Sequence, residues 1–180
     1  MKYVELYTDG GCRGNGQAGD NIGAIGGILI YPEKNIRKEY KKAYPNTTNN
    51  QMELLAVITG LKMLKEPCEV VIHSDSAYVV NAYNQNWVTG WKAKNWSRGK
   101  AGPLKNKELW MELDELVNYH DARFAKVKGH ADNELNNRAD ALVNEAMDAY
   151  GKWEEIKNKY SGRAYKLLSL APKRTDMPPN

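Results

Sequence analysis

The chain has 180 residues, with 26 Lys and Arg against 22 Asp and Glu and a formal net charge of +4. This length suits one domain with a sizeable core, and the N-terminus lacks a signal-peptide pattern while no apolar run reaches membrane-spanning length, so we expect a soluble cytoplasmic protein. The two cysteines, Cys12 and Cys68, are too few for a disulfide framework or a zinc cluster.

The basic residues are unevenly distributed. Residues 1–150 contain 19 basic and 19 acidic residues, whereas residues 151–180 contain 7 and 3. Within the neutral part, residues 92–107 contain six basic residues and no acid. A local basic patch of this kind indicates contact with phosphates, and a solvated loop is the alternative.

The first half of the chain predicts three strands, a helix and a fourth strand. Alternating apolar residues predict a first strand that ends at Asp9, followed by a glycine-rich loop. A long helix follows and ends before Pro67, and the apolar strand after it ends at Asp75. The predicted strands span residues 3–9, 22–31, 36–44 and 69–75, and the helix spans residues 48–65.

The second half alternates helices with one more strand. Trp87, Trp91 and Trp96 are interleaved with the basic residues of the patch. The predicted helices span residues 76–86, 106–119 and 134–149, and the strand spans residues 122–127. An antiparallel meander followed by parallel strands predicts an α/β fold, a five-stranded mixed sheet with helices on both faces.

Residues 47–53 predict a helix start in two ways. Thr48 with Gln51 fits a capping box, and Asn50 with Glu53 fits one equally well. Glu53 is therefore either part of a helix cap or a free functional carboxylate.

Four carboxylates are expected at one place. Functional groups of α/β sheets gather at the carboxyl ends of parallel strands, which brings Asp9 and Asp75 together. Glu53 and Asp140, each near the start of a helix, could reach the same place. Four such groups repel one another unless cations neutralise them, and Mg²⁺ prefers oxygen ligands. Two ions about 4 Å apart support phosphodiester hydrolysis, so the acids, the basic patch and the tryptophans together indicate a nuclease.

Each acid also has an ordinary structural interpretation. Asp9 before two glycines fits a turn, and Asp75 fits a helix N-cap. Asp140 fits a solvated helix face, and Cys12 fits a small buried side chain.

Four segments resemble, in order and spacing, the motifs of type 1 ribonuclease H over about residues 2–148. They are residues 7–15, 47–53, 74–76 and the Lys128-Gly129-His130 stretch with Asp140. The resemblance implies the ribonuclease H-like fold and a metal-dependent endonuclease. Such an enzyme cuts the RNA strand of RNA·DNA hybrids and leaves 5′-phosphate and 3′-hydroxyl ends.

The resemblance also implies roles for individual residues. Two Mg²⁺ ions, with Mn²⁺ as an alternative, would be held by Asp9, Glu53, Asp75 and Asp140, with Asp9 bridging both. His130 would assist proton transfer or product departure. Contacts to the hybrid would come from Cys12, Asn15, Thr48, Asn49, Asn50, Trp87, Lys92, Lys94, Arg98, Lys100 and Asn106.

The expected organisation is a catalytic domain over residues 1–149, with a basic protrusion at about 87–107. A basic extension over residues 150–180, partly helical and then disordered, would follow. We expect a monomer that binds the hybrid without an obligate protein partner. A DNA nuclease or integrase of the same fold and a non-catalytic hybrid-binding module are the alternatives. Ala77 departs from the family, where a longer polar side chain is common.

Overall fold

A computed structural model describes residues 1–14 and 21–159, excluding the side chains of residues 129–131. The strands are β1 (Lys2–Arg13), β2 (Ile22–Tyr31), β3 (Ile36–Pro45), β4 (Cys68–Ser74) and β5 (Asp121–Lys126). The helices are α1 (Asn49–Lys62), α2 (Ala77–Asn84), α3 (Trp87–Ala93), α4 (Lys107–Tyr119) and α5 (Gly129–Lys159). Within the described ranges, no helix combines the length and apolarity needed to cross a bilayer.

One mixed sheet organises the molecule, with strand order β3-β2-β1-β4-β5. β1, β2 and β3 form an antiparallel meander, while β4 and β5 run parallel to β1. α1 and α4 contribute to the large apolar core with the strands, and α5 packs on β1, β2 and β3 through smaller clusters. The predicted five-stranded sheet with helices on both faces is confirmed.

β1 is longer than the sequence pattern predicted. It continues past Asp9 to Arg13, and its last residues pair with β2 alone. The glycine at position 10 serves a close approach rather than a turn, because a Cβ there would lie 2.4 Å from the carbonyl carbon of Met52. Gly10 therefore lets α1 lie directly against β1.

The start of α1 distinguishes between the two predicted caps. Thr48 is the N-cap, and its hydroxyl accepts a hydrogen bond from the Gln51 backbone N–H at 3.2 Å. The Gln51 side chain instead accepts from the Thr47 hydroxyl at 3.0 Å, so only one half of the capping box forms. Glu53 takes no part in the cap.

α5 is a single helix of 31 residues, longer at both ends than predicted. Ion pairs fix it to β3: Arg138 donates to both carboxylate oxygens of Glu39 at 2.8 and 2.9 Å, and Lys41 pairs with Glu145 at 3.1 Å. Each exposed pair stabilises little alone, but the bidentate geometry defines where the helix lies. The part of the predicted extension beyond Lys159 lies outside the described residues.

The three tryptophans of the protrusion have different environments. Trp91 packs on Trp110 with ring centroids 5.0 Å apart, and Trp96 is partly buried against the same core. Trp87, at the start of α3, remains 41% exposed. Only Trp87 is therefore placed to meet a ligand with its ring.

His120 is a buried residue that links two backbone segments, and its replacement should change the stability of the fold measurably. Its Nδ1 accepts from the Cys68 backbone N–H and its Nε2 donates to the Leu61 carbonyl, both at 3.1 Å, while burial lowers the pKa of the ring. We predict that His120→Phe lowers the free energy of unfolding by about 1–3 kcal/mol, because two buried backbone groups lose their partners.

The pH dependence has a definite sign. A lowered pKa means that the His120 contribution is complete above about pH 6.5 and declines as the pH falls below that value. Urea unfolding from about pH 5 to pH 8 should show the gap between wild type and His120→Phe narrowing towards low pH. A gap that is constant with pH would contradict this assignment.

Candidate active site

Two acids lie side by side at one edge of the sheet. The parallel pairing of β1 and β4 ends at Tyr7 opposite His73. Asp9 follows two residues later on β1, and Asp75 follows two residues later, just after the end of β4. Ser76, not Asp75, is the N-cap of α2, and its hydroxyl accepts from the Val79 backbone N–H. The Asp75 carboxylate is therefore not used to start the helix.

Asp9 has an environment that disfavours its charge. Burial, followed by the charge of Asp75 and that of Asp140 on α5, raises the pKa of Asp9 to about 7, although the Gly10 backbone N–H acts in the opposite direction. A carboxyl group held in this way binds either a proton or a cation near neutral pH.

Glu53 approaches from the opposite side, on α1. The close contact at Gly10 brings the Glu53 backbone nitrogen within 2.6 Å of where a Cβ would lie. The Glu53 carboxylate accepts a hydrogen bond from the Ser76 hydroxyl at 2.5 Å. Burial raises the pKa of Glu53, the Ser76 hydroxyl partly offsets this, and the charge of Asp75 raises it further.

A cleft of about 420 Å³ opens over these groups. Asp9, Asp75 and Asp140 line it, and Glu53 is not among the lining residues. The lining also contains residues that sequence reasoning did not assign: Arg13, Asn136, Asn137 and Asn144. The cleft is thus polar, with acids at its base and amides along α5.

Asn136 is the most informative of the unassigned residues. Its Nδ2 lies 3.4 Å from Asp75 Oδ2, and its Oδ1 is buried without a hydrogen-bond partner. Asn136 stands one helical turn before Asp140, so the two share a face of α5. That four-residue spacing was the available sequence signal, but it is common on solvated helices.

The donor set fits an open site for a hard divalent cation. In the described part of the chain, no three acidic, histidine or cysteine side chains are gathered closely enough to enclose an ion. Mg²⁺ retains several waters and binds through one or two carboxylates plus substrate phosphates, so a closed cage is not required. The raised pKa of Asp9 and the orphaned Asn136 oxygen both indicate a place for a hydrated cation.

Two of the residues expected at the hybrid, Cys12 and Asn49, line this cleft. Asn49 Oδ1 accepts from the Cys12 backbone N–H at 2.8 Å, which ties α1 to the end of β1. The Cys12 side chain packs against the cluster around Ile25 and Met52, and burial raises the pKa of its thiol. Asn50 is half-buried in the first turn of α1, next to Asn49.

A second group of residues lies where α1 meets α4. Asn106 donates to the Tyr78 hydroxyl at 3.2 Å, and its Oδ1 lies 3.4 Å from the Gln51 amide nitrogen. Thr48 is exposed nearby as the cap of α1. These side chains are held in place before any ligand binds.

The basic residues of the protrusion are not equivalent. Lys92, Lys94, Arg98 and Lys100 are all exposed, and they differ in their partners. The Lys92 ammonium lies 2.9 Å from Asp114 Oδ2, and Asp114 is only 8% exposed. Asn15 and the His130 side chain lie outside the described residues.

The sequence matches the family model described as RNase H over residues 1–148. It is 57% identical over 150 residues to a protein named Ribonuclease H from Clostridium botulinum (strain Hall), covering 83% of this chain and 99% of that protein. It is 53% identical over 152 residues to Ribonuclease H from Acetivibrio thermocellus, covering 84% of this chain and 99% of that protein.

Solved structures show the same fold. LC9-RNase H1, described as a type 1 RNase H with the type 2 active-site motif, has a TM-score of 0.70 at 33% identity over 81% of this chain and 72% of that chain. LC11-RNase H1, solved in complex with an RNA/DNA hybrid, has a TM-score of 0.59 at 26% identity over 81% of this chain and 96% of that chain.

The environment of Asp9 predicts an unusual gain in stability on neutralisation. Because its pKa is raised from 3.8 to about 7, the buried acid destabilises the fold increasingly as the pH rises between those values. In the presence of chelator, Asp9→Asn should therefore unfold at a higher temperature than wild type, by a margin that grows with pH.

Added Mg²⁺ should then stabilise wild type more than Asp9→Asn, because binding to the folded state raises stability. Asp121→Asn is the matched control, since Asp121 is exposed at the opposite end of the sheet. A wild-type to Asp9→Asn difference that does not change with pH would contradict the prediction.

Proposed function

Because this chain belongs to the ribonuclease H family, we propose that it is an endonuclease hydrolysing the RNA strand of RNA·DNA hybrids. The observation that best supports this is the convergence of Asp9, Asp75 and Asp140 in one polar cleft, with the pKa of Asp9 raised to about 7. The products would carry 5′-phosphate and 3′-hydroxyl ends.

Asp9, Glu53, Asp75 and Asp140 would hold two Mg²⁺ ions, with Asp9 shared and Mn²⁺ able to substitute. Such ions supply activation of a water molecule and stabilisation of the leaving oxygen. The protein's other residues would contribute by positioning these carboxylates. Gly10 holds Glu53 close to β1, the Ser76 hydroxyl orients its carboxylate, and the ion pairs of Arg138 fix the helix that carries Asp140.

Two residues near the cations would bind water and assist proton transfer. The orphaned Asn136 Oδ1 can accept a hydrogen bond from a cation-bound water while its amide nitrogen faces Asp75. His130, at the start of α5, would assist proton transfer or product departure, since an imidazole titrates near neutral pH.

Selection of the hybrid would use the two sides of α1. Cys12, Asn15, Asn49, Asn50 and Glu53 would line the minor-groove edge of the RNA, where amides can both donate to and accept from 2′-hydroxyls. Thr48 and Asn106 would hold a DNA phosphate. Trp87, which is 41% exposed, would pack on a deoxyribose and exclude a 2′-hydroxyl sterically.

The proposal extends to organisation. Residues 1–149 would form the catalytic domain and residues 87–107 its protrusion, with residues 150–180 as an extension. The family match ending at residue 148 supports this division, although α5 crosses it without a break. We also propose that the protein is a cytoplasmic monomer.

The decisive experiment is cleavage of an end-labelled hybrid with Mg²⁺, with and without chelator. Glu53→Gln should lower kcat roughly a hundredfold or more and change the dissociation constant for hybrid little, because it removes a metal ligand and leaves the cap at Thr48. Asp9→Asn should behave alike, and Asp121→Asn should retain full activity.

Other outcomes would redirect the assignment. Preferential cleavage of duplex DNA would identify a DNA nuclease of the same fold, and binding without turnover would identify a binding module. Equal cleavage by Asp9→Asn would contradict the metal-ligand assignment.

The protrusion gives a matched pair of lysines. Lys94→Ala should weaken hybrid binding and reduce the slope of log affinity against log salt by about one, because one phosphate contact is lost. Lys92→Ala should instead lower the unfolding temperature and leave that slope nearly unchanged, because Lys92 pairs with Asp114. Equal slope changes in both variants would show that Lys92 also contacts phosphate.

A further inference from the structure

One acidic side chain ties the first turn of α5 to the centre of the sheet. Asp132 Oδ1 accepts a hydrogen bond from the Tyr7 hydroxyl at 2.7 Å, and Asp132 Oδ2 accepts from the Lys128 backbone N–H at 2.9 Å. The two bonds close the turn over residues 128–132, and His130 lies at its middle. One carboxylate oxygen thus fixes this segment to β1, and the other closes the segment on itself.

Tyr7 is a rigid anchor for this link. It is 3% exposed, packs against Ile28 and Leu142, and stacks on His73, its partner on β4, with ring centroids 4.2 Å apart. The Tyr7 hydroxyl is the donor in the bond to Asp132, as a tyrosine hydroxyl facing a carboxylate must be. The Tyr7 hydroxyl, followed by the Lys128 N–H, lowers the pKa of Asp132, which stays charged.

Tyr7 also links this turn to the strand that carries Asp9. It precedes Asp9 by two residues on β1, so both side chains project from the same face of the sheet. The Tyr7 and Asp132 pair therefore connects the strand that carries Asp9 to the first turn of α5 through one hydrogen bond.

We propose that Tyr7 and Asp132 are positioning residues that hold the turn carrying His130 at a fixed height above Asp9. This inference rests on the proposed function, in which His130 serves the reaction. Neither residue is among those that line the cleft, so the pair should affect turnover and not affinity. A purely structural cap of α5, which an acid in the first helical turn can also provide, would affect stability alone.

Steady-state kinetics on the hybrid with Mg²⁺ separate these roles. Tyr7→Phe keeps the ring stack and removes the hydroxyl, and it should lower kcat about fivefold, the effect of one hydrogen bond, with KM unchanged. In a His130→Ala background the same substitution should have little further effect, because residues that act through one another are not additive.

Tyr83→Phe is the matched control. The Tyr83 hydroxyl donates to Asp114 at 3.3 Å, so this change also removes a buried tyrosine-to-aspartate bond, but away from the cleft. It should leave kcat unchanged. An equal fall in kcat for Tyr7→Phe in both His130 backgrounds, or a rise in KM alone, would overturn the proposal.

Amide hydrogen exchange tests the link without catalysis. Tyr7→Phe and Asp132→Ala should each speed exchange at the Lys128 amide about fivefold or more, and Tyr83→Phe should not. If exchange at the Lys128 amide is unchanged in both variants while the wild type hydrolyses hybrid normally, this inference is overturned and the proposed function stands. Faster exchange in a protein that does not hydrolyse hybrid would support the link, and the failure would belong to the proposed function.

Discussion

The crowding of negative charge at the carboxyl ends of β1 and β4 is the constraint on which the rest of the structure depends. Asp9 is buried next to Asp75 and Asp140, and its pKa rises because burial disfavours its charge and because the two neighbouring acids repel it. Unfolding would relieve this repulsion, so the surrounding contacts must oppose it. The parallel pairing of β1 with β4, the apolar core beneath α1 and the ion pairs of α5 provide that opposition.

Three structural devices position the four acids. Asp9 and Asp75 are placed by strand register, Glu53 by the missing side chain at Gly10, and Asp140 by a helix fixed to β3 through Arg138. A site assembled in this way combines two acids held by the sheet with two acids held by helices.

The sequence predicted the features that depend on local pattern. Periodicity placed the five strands, and the strand ends placed Asp9 and Asp75 together. The features that it could not predict depend on long-range contacts. β1 continues past Asp9 because β2 pairs with it. Lys92 forms an ion pair because α4 brings Asp114 within 2.9 Å of its ammonium group. The choice of Thr48 over Asn50 as cap was equally undecidable, because both spacings satisfy the same local rule. Asn136 was missed because its role requires the proximity of Asp75.

The outer strands of the sheet have a consequence for the protein at high concentration. β3 forms one edge and is charged along its length, through Arg37, Lys38, Glu39, Lys41 and Lys42. The opposite edge, β5, is six residues long, beginning at Asp121 and ending at Lys126. Two β3 edges that approached each other would bring lysine against lysine before backbone hydrogen bonds could form. The sheet is thereby protected against the strand-to-strand aggregation that unpaired backbone edges otherwise promote.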